Sequence, residues 1–157
     1  MKFIKVVPVI IMLFFIACES DETKFARAEK ECSQKNSLDR LELSLSGYAI
    51  KDADSVSVKI LRSGKIIADY KDTITKKFFD SLRLQRHYTI ERRILLSDTL
   101  IIKIAGEPAK KIYGFAYAVN PHFTMMNSNW GCEFSSYIMD GQLVKDYQVS
   151  FINKKSR

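Results

Sequence analysis

The chain has 157 residues, 46% of them apolar, with 25 Lys and Arg against 18 Asp and Glu for a formal net charge of +7. That length leaves room for one packed core and hardly for two. The basic surplus is moderate and comes without any nucleic-acid recognition motif, so nucleic acid is excluded as a partner and mild attraction to anionic surfaces is all the charge implies.

Lys2 and Lys5 precede an apolar run from Val6 to Ile16, too short to span a bilayer comfortably as a permanent helix and of the size of a cleaved signal. The run closes on Phe15-Ile16-Ala17-Cys18. This resembles the lipobox of bacterial lipoproteins, in which a small residue precedes a cysteine that is acylated and becomes the mature N-terminus. Phe15 stands where that motif most often has Leu. The resemblance implies that residues 1–17 are removed and that Cys18 carries the lipid. Each buried CH₂ contributes about 0.8 kcal/mol and one chain binds only marginally, so two or three acyl chains make a stable anchor. A secretory signal cut elsewhere, with Cys18 an ordinary thiol, and an uncleaved anchor are the other readings of the same stretch.

From Glu19 to Asp39 the chain is rich in charge and poor in aliphatic residues, the composition of a segment that cannot bury enough surface to order itself. Residues 18–39 are therefore expected to be the acylated cysteine and a flexible tether. The cluster Glu19, Ser20, Asp21, Glu22 is similar to the export signal that sends lipoproteins of Bacteroidota to the outer face of the outer membrane. Without that address value it is a solvated linker, and the protein faces the periplasm. With Cys18 acylated, Cys32 and Cys132 remain as an even pair in a chain that has left the reducing cytosol. A disulfide between them is the default expectation, set against two free cysteines buried as small hydrophobes.

Period-two alternation begins at Leu41, Leu43 and Leu45 and returns at Val56, Val58 and Ile60, predicting two half-buried strands. Ser63-Gly64 separates the second from Lys65 to Tyr70, so a hairpin is expected there. Residues 72–86 fit a short helix through Ile74, Phe78 and Leu82 or a strand through Leu82 and Leu84, and are read as irregular chain leading into a strand near Tyr88 to Leu95. Lys76, Lys77, Arg83, Arg86, Arg92 and Arg93 gather around it, either as a solvated edge that discourages strand pairing or as a contact for phosphate or acidic sugars. Leu100, Ile102 and Ile104, the turn Gly106-Glu107-Pro108, and a strand from Lys110 to Val119 make a second hairpin. Tyr113, Phe115, Tyr117 and Val119 form one face of its second strand, suited to the core and alternatively to a stacking platform.

Asn120 to Gly131 is built from turn formers yet holds the sole tryptophan, and reads as a loop. His122, Phe123, Met125 and Trp130 are its candidate binding residues, because aromatic and methionine side chains bury large area at low entropic cost. The competing role is to cap the open end of the fold beside Cys132. Strands near Glu133 to Met139 and Gln142 to Ile152 flank Asp140-Gly141, a strong hairpin signal, and residues 154–157 are a basic tail.

Seven or eight short strands without a long helix predict an all-β fold over residues 40–153, an immunoglobulin-like or prealbumin-like antiparallel β-sandwich. From Leu45 to Ile104 the chain resembles prealbumin and carboxypeptidase-regulatory-like modules in its Val56-x-Val58-x-Ile60 strand and in Phe79 through Tyr88-Thr89-Ile90, although their usual turn glycines and prolines are missing. No HExxH, GxSxG, CxxC or phosphate loop occurs, and His87 and His122 stand without ligand-spaced neighbours, so no cofactor, metal or catalytic residue is expected. The function implied is a lipid-anchored outer-membrane protein whose partners are the membrane itself and an envelope protein or glycan. A small envelope hydrolase using scattered carboxylates is the alternative.

Overall fold

Side chains two apart on a pleated chain face the same way, so alternation fixes which residues meet in a core. The computed structural model describes residues 19–49, 53–74, 85–104, 106–124 and 127–153. The signal segment, Cys18, Met125 and the basic tail lie outside them. In chain order they form helix α1 (Asp21–Gln34), then β1 (Ser37–Leu38), β2 (Leu41–Ser46), β3 (Ser55–Arg62), β4 (Lys65–Thr73) and β5 (Gln85–Ile90). β6 (Ile94–Leu95), β7 (Thr99–Ile104), β8 (Lys110–Thr124), β9 (Asn127–Met139), β10 (Gln142–Lys145) and β11 (Val149–Ile152) follow.

The described residues divide into two compact units, one from 19–34 and 118–133, the other from 35–117 and 134–153. The second unit is the expected all-β sandwich. A six-stranded sheet runs in the order β10-β9-β8-β7-β3-β4, a three-stranded one in the order β11-β2-β5, and β1 pairs with β6. Between the sheets lie the alternating residues: Leu41, Leu43 and Leu45 of β2, Val56, Val58 and Ile60 of β3, Leu100, Ile102 and Ile104 of β7, with Ile90, Ile112, Phe115, Tyr137, Val149 and Phe151. Burying one such aliphatic side chain contributes roughly 1.5–3 kcal/mol, so this single cluster dominates the stability of the unit.

The predicted turns form as two-residue links. Arg62 pairs with Lys65 across Ser63-Gly64 and Met139 with Gln142 across Asp140-Gly141, with φ of 50° and 78° in the first turn and 50° and 86° in the second. Positive φ at both central residues is what the type I′ hairpin requires, and Gly supplies it at little steric cost. Asp140 also accepts from Lys111 N–H at 2.9 Å and from the Lys110 ammonium at 2.9 Å, which holds its carboxyl below the usual carboxylate range.

Four expectations are corrected. Asp21–Gln34, expected to be part of a flexible tether, is a helix. Asn120 to Gly131, expected to be a loop, belongs largely to β8, which continues to Thr124, and to β9, which begins at Asn127. The strand expected from Gln142 to Ile152 is broken at Asp146, whose carboxylate takes Gln148 N–H at 3.3 Å and the Ser150 hydroxyl at 3.1 Å. This local capping leaves Tyr147 76% exposed and lets β11 change sheet, where it runs parallel to β2 rather than antiparallel. Finally, Ile112 and Phe115 are both buried although their parity differs; the alternation slips at Gly114, whose φ of 65° is a conformation that bulges use.

Candidate functional site

Helix α1 starts where its chemistry says it should. Ser20 is the N-cap, its Oγ accepting from Thr23 N–H at 3.3 Å and its carbonyl from Lys24 N–H at 3.1 Å, and Asp21 and Glu22 place negative charge at the positive end of the helix dipole. Arg27 pairs with Glu19 across the first turn. The acidic cluster after Cys18 is a helix start, a signal present in Ser20-Asp21-Glu22 although the apolar content behind it is thin. Ala28 is the one buried residue of the helix. A fourteen-residue helix with so little buried surface is marginal alone in water. It is fastened by the disulfide Cys32–Cys132, with Cα atoms 5.2 Å apart, and by Phe25, whose ring meets Trp130 edge-on at 5.0 Å.

The hairpin tip that receives α1 carries the predicted binding residues. Phe123 lies 5.9 Å from Trp130 at 75°, so Phe25, Trp130 and Phe123 form a continuous aromatic cluster. Trp130 is half-buried at its centre, whereas Phe123 is 65% and Phe25 40% exposed. The indole N–H is covered and meets no acceptor among the described residues. Beside the cluster, His122 Nε2 lies 2.9 Å from Glu133 Oε1, and Asn120 Nδ2 donates to Glu133 Oε2 at 3.1 Å. Gly131 makes room for this: a Cβ there would sit 2.7 Å from His122 Nε2. Phe123 and Trp130 are in contact, His122 lies against Gly131 and Glu133 beside them, Met125 falls outside the described residues, and Phe25, Gly131 and Glu133 join the cluster through packing.

The basic residues around 76–93 do not make one surface. Arg86 is 1% exposed inside the sandwich and donates to the Ala49 carbonyl at 3.2 Å, correcting its assignment to a solvated edge. Arg92 lies over the Tyr70 ring at 5.0 Å and Arg93 donates to Ser37 Oγ at 3.0 Å, while Lys76, Lys77 and Arg83 fall outside the described residues.

Several carboxylates are engaged in holding the scaffold. Asp98 has no exposed area and accepts from Arg62 Nε at 2.9 Å, Arg62 Nη2 at 2.8 Å and Leu95 N–H at 2.8 Å. Asp72 takes the Tyr88 hydroxyl at 3.0 Å, and burial, then this bond, pushes that phenol well above its ordinary value. One shallow groove of about 360 Å³ brings Asp54 and Asp72 together with Lys71, Ser55 and Thr73. Among the described residues no group of three or more His, Cys, Asp or Glu is placed to hold a metal ion, and no helix is long and apolar enough to cross a membrane. No family model, curated protein or solved structure matches the chain.

Proposed function

We propose that this chain is a lipid-anchored envelope protein, held at the outer membrane through acylated Cys18, whose β-sandwich is a binding module and whose contact surface is the aromatic hairpin tip. The anchor rests on Phe15-Ile16-Ala17-Cys18 and the basic, apolar leader before it. The contact surface rests on one observation: Phe25, Trp130 and Phe123 form a partly exposed aromatic cluster that a covalent bond between Cys32 and Cys132 holds in place. Rigid aromatic anchors of this kind contribute most of the binding energy in many interfaces. Full-length chain with Cys18→Ala is expected to leave the membrane fraction or to accumulate at its unprocessed mass; unaltered fractionation and mass refute acylation. Cross-linking from the tip in intact envelopes is expected to depend on Phe123, and adducts unchanged in Phe123→Ser would remove the tip from the contact.

A second reading follows the groove that Asp54, Asp72 and Lys71 line, since carboxylates sharing one groove can serve a small hydrolase as general acid and base. Turnover on a panel of glycosides and esters, abolished by Asp54→Asn, would select it over the binding module.

A further inference from the structure

We infer that the partner of the aromatic tip is the bilayer itself: Phe123 and Trp130 are seated in the headgroup layer of the membrane that holds the acyl chains. This rests on the acylation of Cys18 proposed above. Only Glu19 and Ser20 separate Cys18 from the first helical residue, Asp21. Three extended steps span about 10 Å, and the rise of α1 to Phe25 adds about 6 Å. The Phe25 ring is 5.0 Å from that of Trp130. Allowing for side-chain length, the indole stays within roughly 25 Å of the lipidated residue whatever path the first residues take.

The helix is what makes the leash short. Extended, the fourteen residues of α1 would reach about 50 Å; coiled, they span about 21 Å, and Cys32 ties the far end to the same hairpin. A tether of this length keeps the tip at a local concentration in the millimolar range at the surface, so a weak partition is enough to seat it. The chemistry of the tip suits that layer. Phe123 and Phe25 present apolar edges while His122, Glu133 and Asn120 beside them are polar, the mixture that interfacial aromatic belts use. The attraction is not electrostatic. From Glu19 to Glu31 five acids face three bases, so anionic lipid should weaken seating and added salt should not disrupt it, the reverse of a polybasic segment.

Trp130 is the sole tryptophan, so its emission reports the tip directly. The native acylated chain is reconstituted in phosphatidylcholine vesicles, with and without bromine on the acyl carbons nearest the headgroup, and checked by flotation. Seating predicts an about two-fold loss of emission on bromination and protection from aqueous iodide, since both probe interfacial depth. Phe123→Asp, at an exposed position, should still float and should lose most of the bromine quenching. A chain that floats while Trp130 ignores bromine and stays as open to iodide as in lipid-free protein beginning at Glu19 overturns the inference and leaves the anchor standing, with the tip turned toward a glycan or protein. A chain that does not float overturns acylation and this inference together.

Discussion

Replacing Asp98 by Asn removes one charge from an ion pair whose acid is fully enclosed in the sandwich and changes little else. The carboxylate has no exposed area and accepts three hydrogen bonds, two from Arg62 and one from Leu95 N–H. Hydrogen bonds to charged groups contribute about 1.5–3 kcal/mol each. The Arg62 side chain is 40% exposed, so water resolvates its guanidinium, and the Asn carbonyl retains the Leu95 bond. The expected loss is therefore about 2–3 kcal/mol, below the 3–5 of a fully enclosed broken pair. That corresponds to a fall in Tm of roughly 5–12 °C for a chain of this size. Urea unfolding of D98N, Arg62→Met and the double variant, followed by far-UV circular dichroism, measures both the loss and the coupling. D98N within about 0.5 kcal/mol of the parent, or single losses that simply add, would refute the account. The pH dependence supplies an independent check. Burial pushes the Asp98 carboxyl up, but the Arg62 and Leu95 hydrogen bonds and the Arg62 charge together outweigh it and hold the group below its ordinary value. The unfolded state then binds more protons, so the contribution of Asp98 is complete above the unfolded value of about 4 and is lost as pH falls through the lower folded value. The stability difference between parent and D98N should be level from neutrality to about pH 5 and should shrink below pH 4.

Reducing Cys32–Cys132, or replacing both by Ser, reopens a separation of 100 residues and should cost up to about 4–5 kcal/mol. Hydrogen exchange should show amide protection lost first in α1, which buries only Ala28, while the central strands keep theirs. Gly131→Ala places a methyl against His122 Nε2 and should displace the imidazole from Glu133, seen as a changed His122 ring resonance; because both partners are half-exposed, stability should fall by no more than about 1 kcal/mol. Gly64→Ala at φ 78° should cost about 1 kcal/mol in thermal melts, whereas Ser63→Asn at φ 50° should be neutral or stabilising.

The strands of the core were legible because each carries its own evidence: Leu41, Leu43 and Leu45, or Leu100, Ile102 and Ile104, declare a buried face by spacing alone, and Ser63-Gly64 and Asp140-Gly141 declare their turns. What escaped depends on partners distant in sequence. α1 is stabilised by Cys132 and Trp130, about a hundred residues downstream, so its own composition reads as a tether. Asn120, Pro121 and Asn129 are poor strand formers that lie in β8 and β9 all the same, since pairing within a long hairpin overrides local preference. Arg86 looked like one of several surface cations, and only its register opposite Leu45 reveals that it points into the sandwich. Of the candidate site, the aromatic residues could be named from type and position, but the close approach at Gly131 and the contribution of Phe25 are properties of packing.

The parallel seating of β11 against β2 sets the order in which this protein can mature. Val149 and Phe151 pair with Leu43 and Leu45, so the smaller sheet stays one strand short until residues made more than a hundred positions later arrive. Such a long closure is slow, and a partly emerged chain has no finished hydrophobic interior to collapse around. Among the described strands the sandwich is therefore completed by the one made last, β11, and an unfinished chain lacks the pairing that closes its three-stranded sheet.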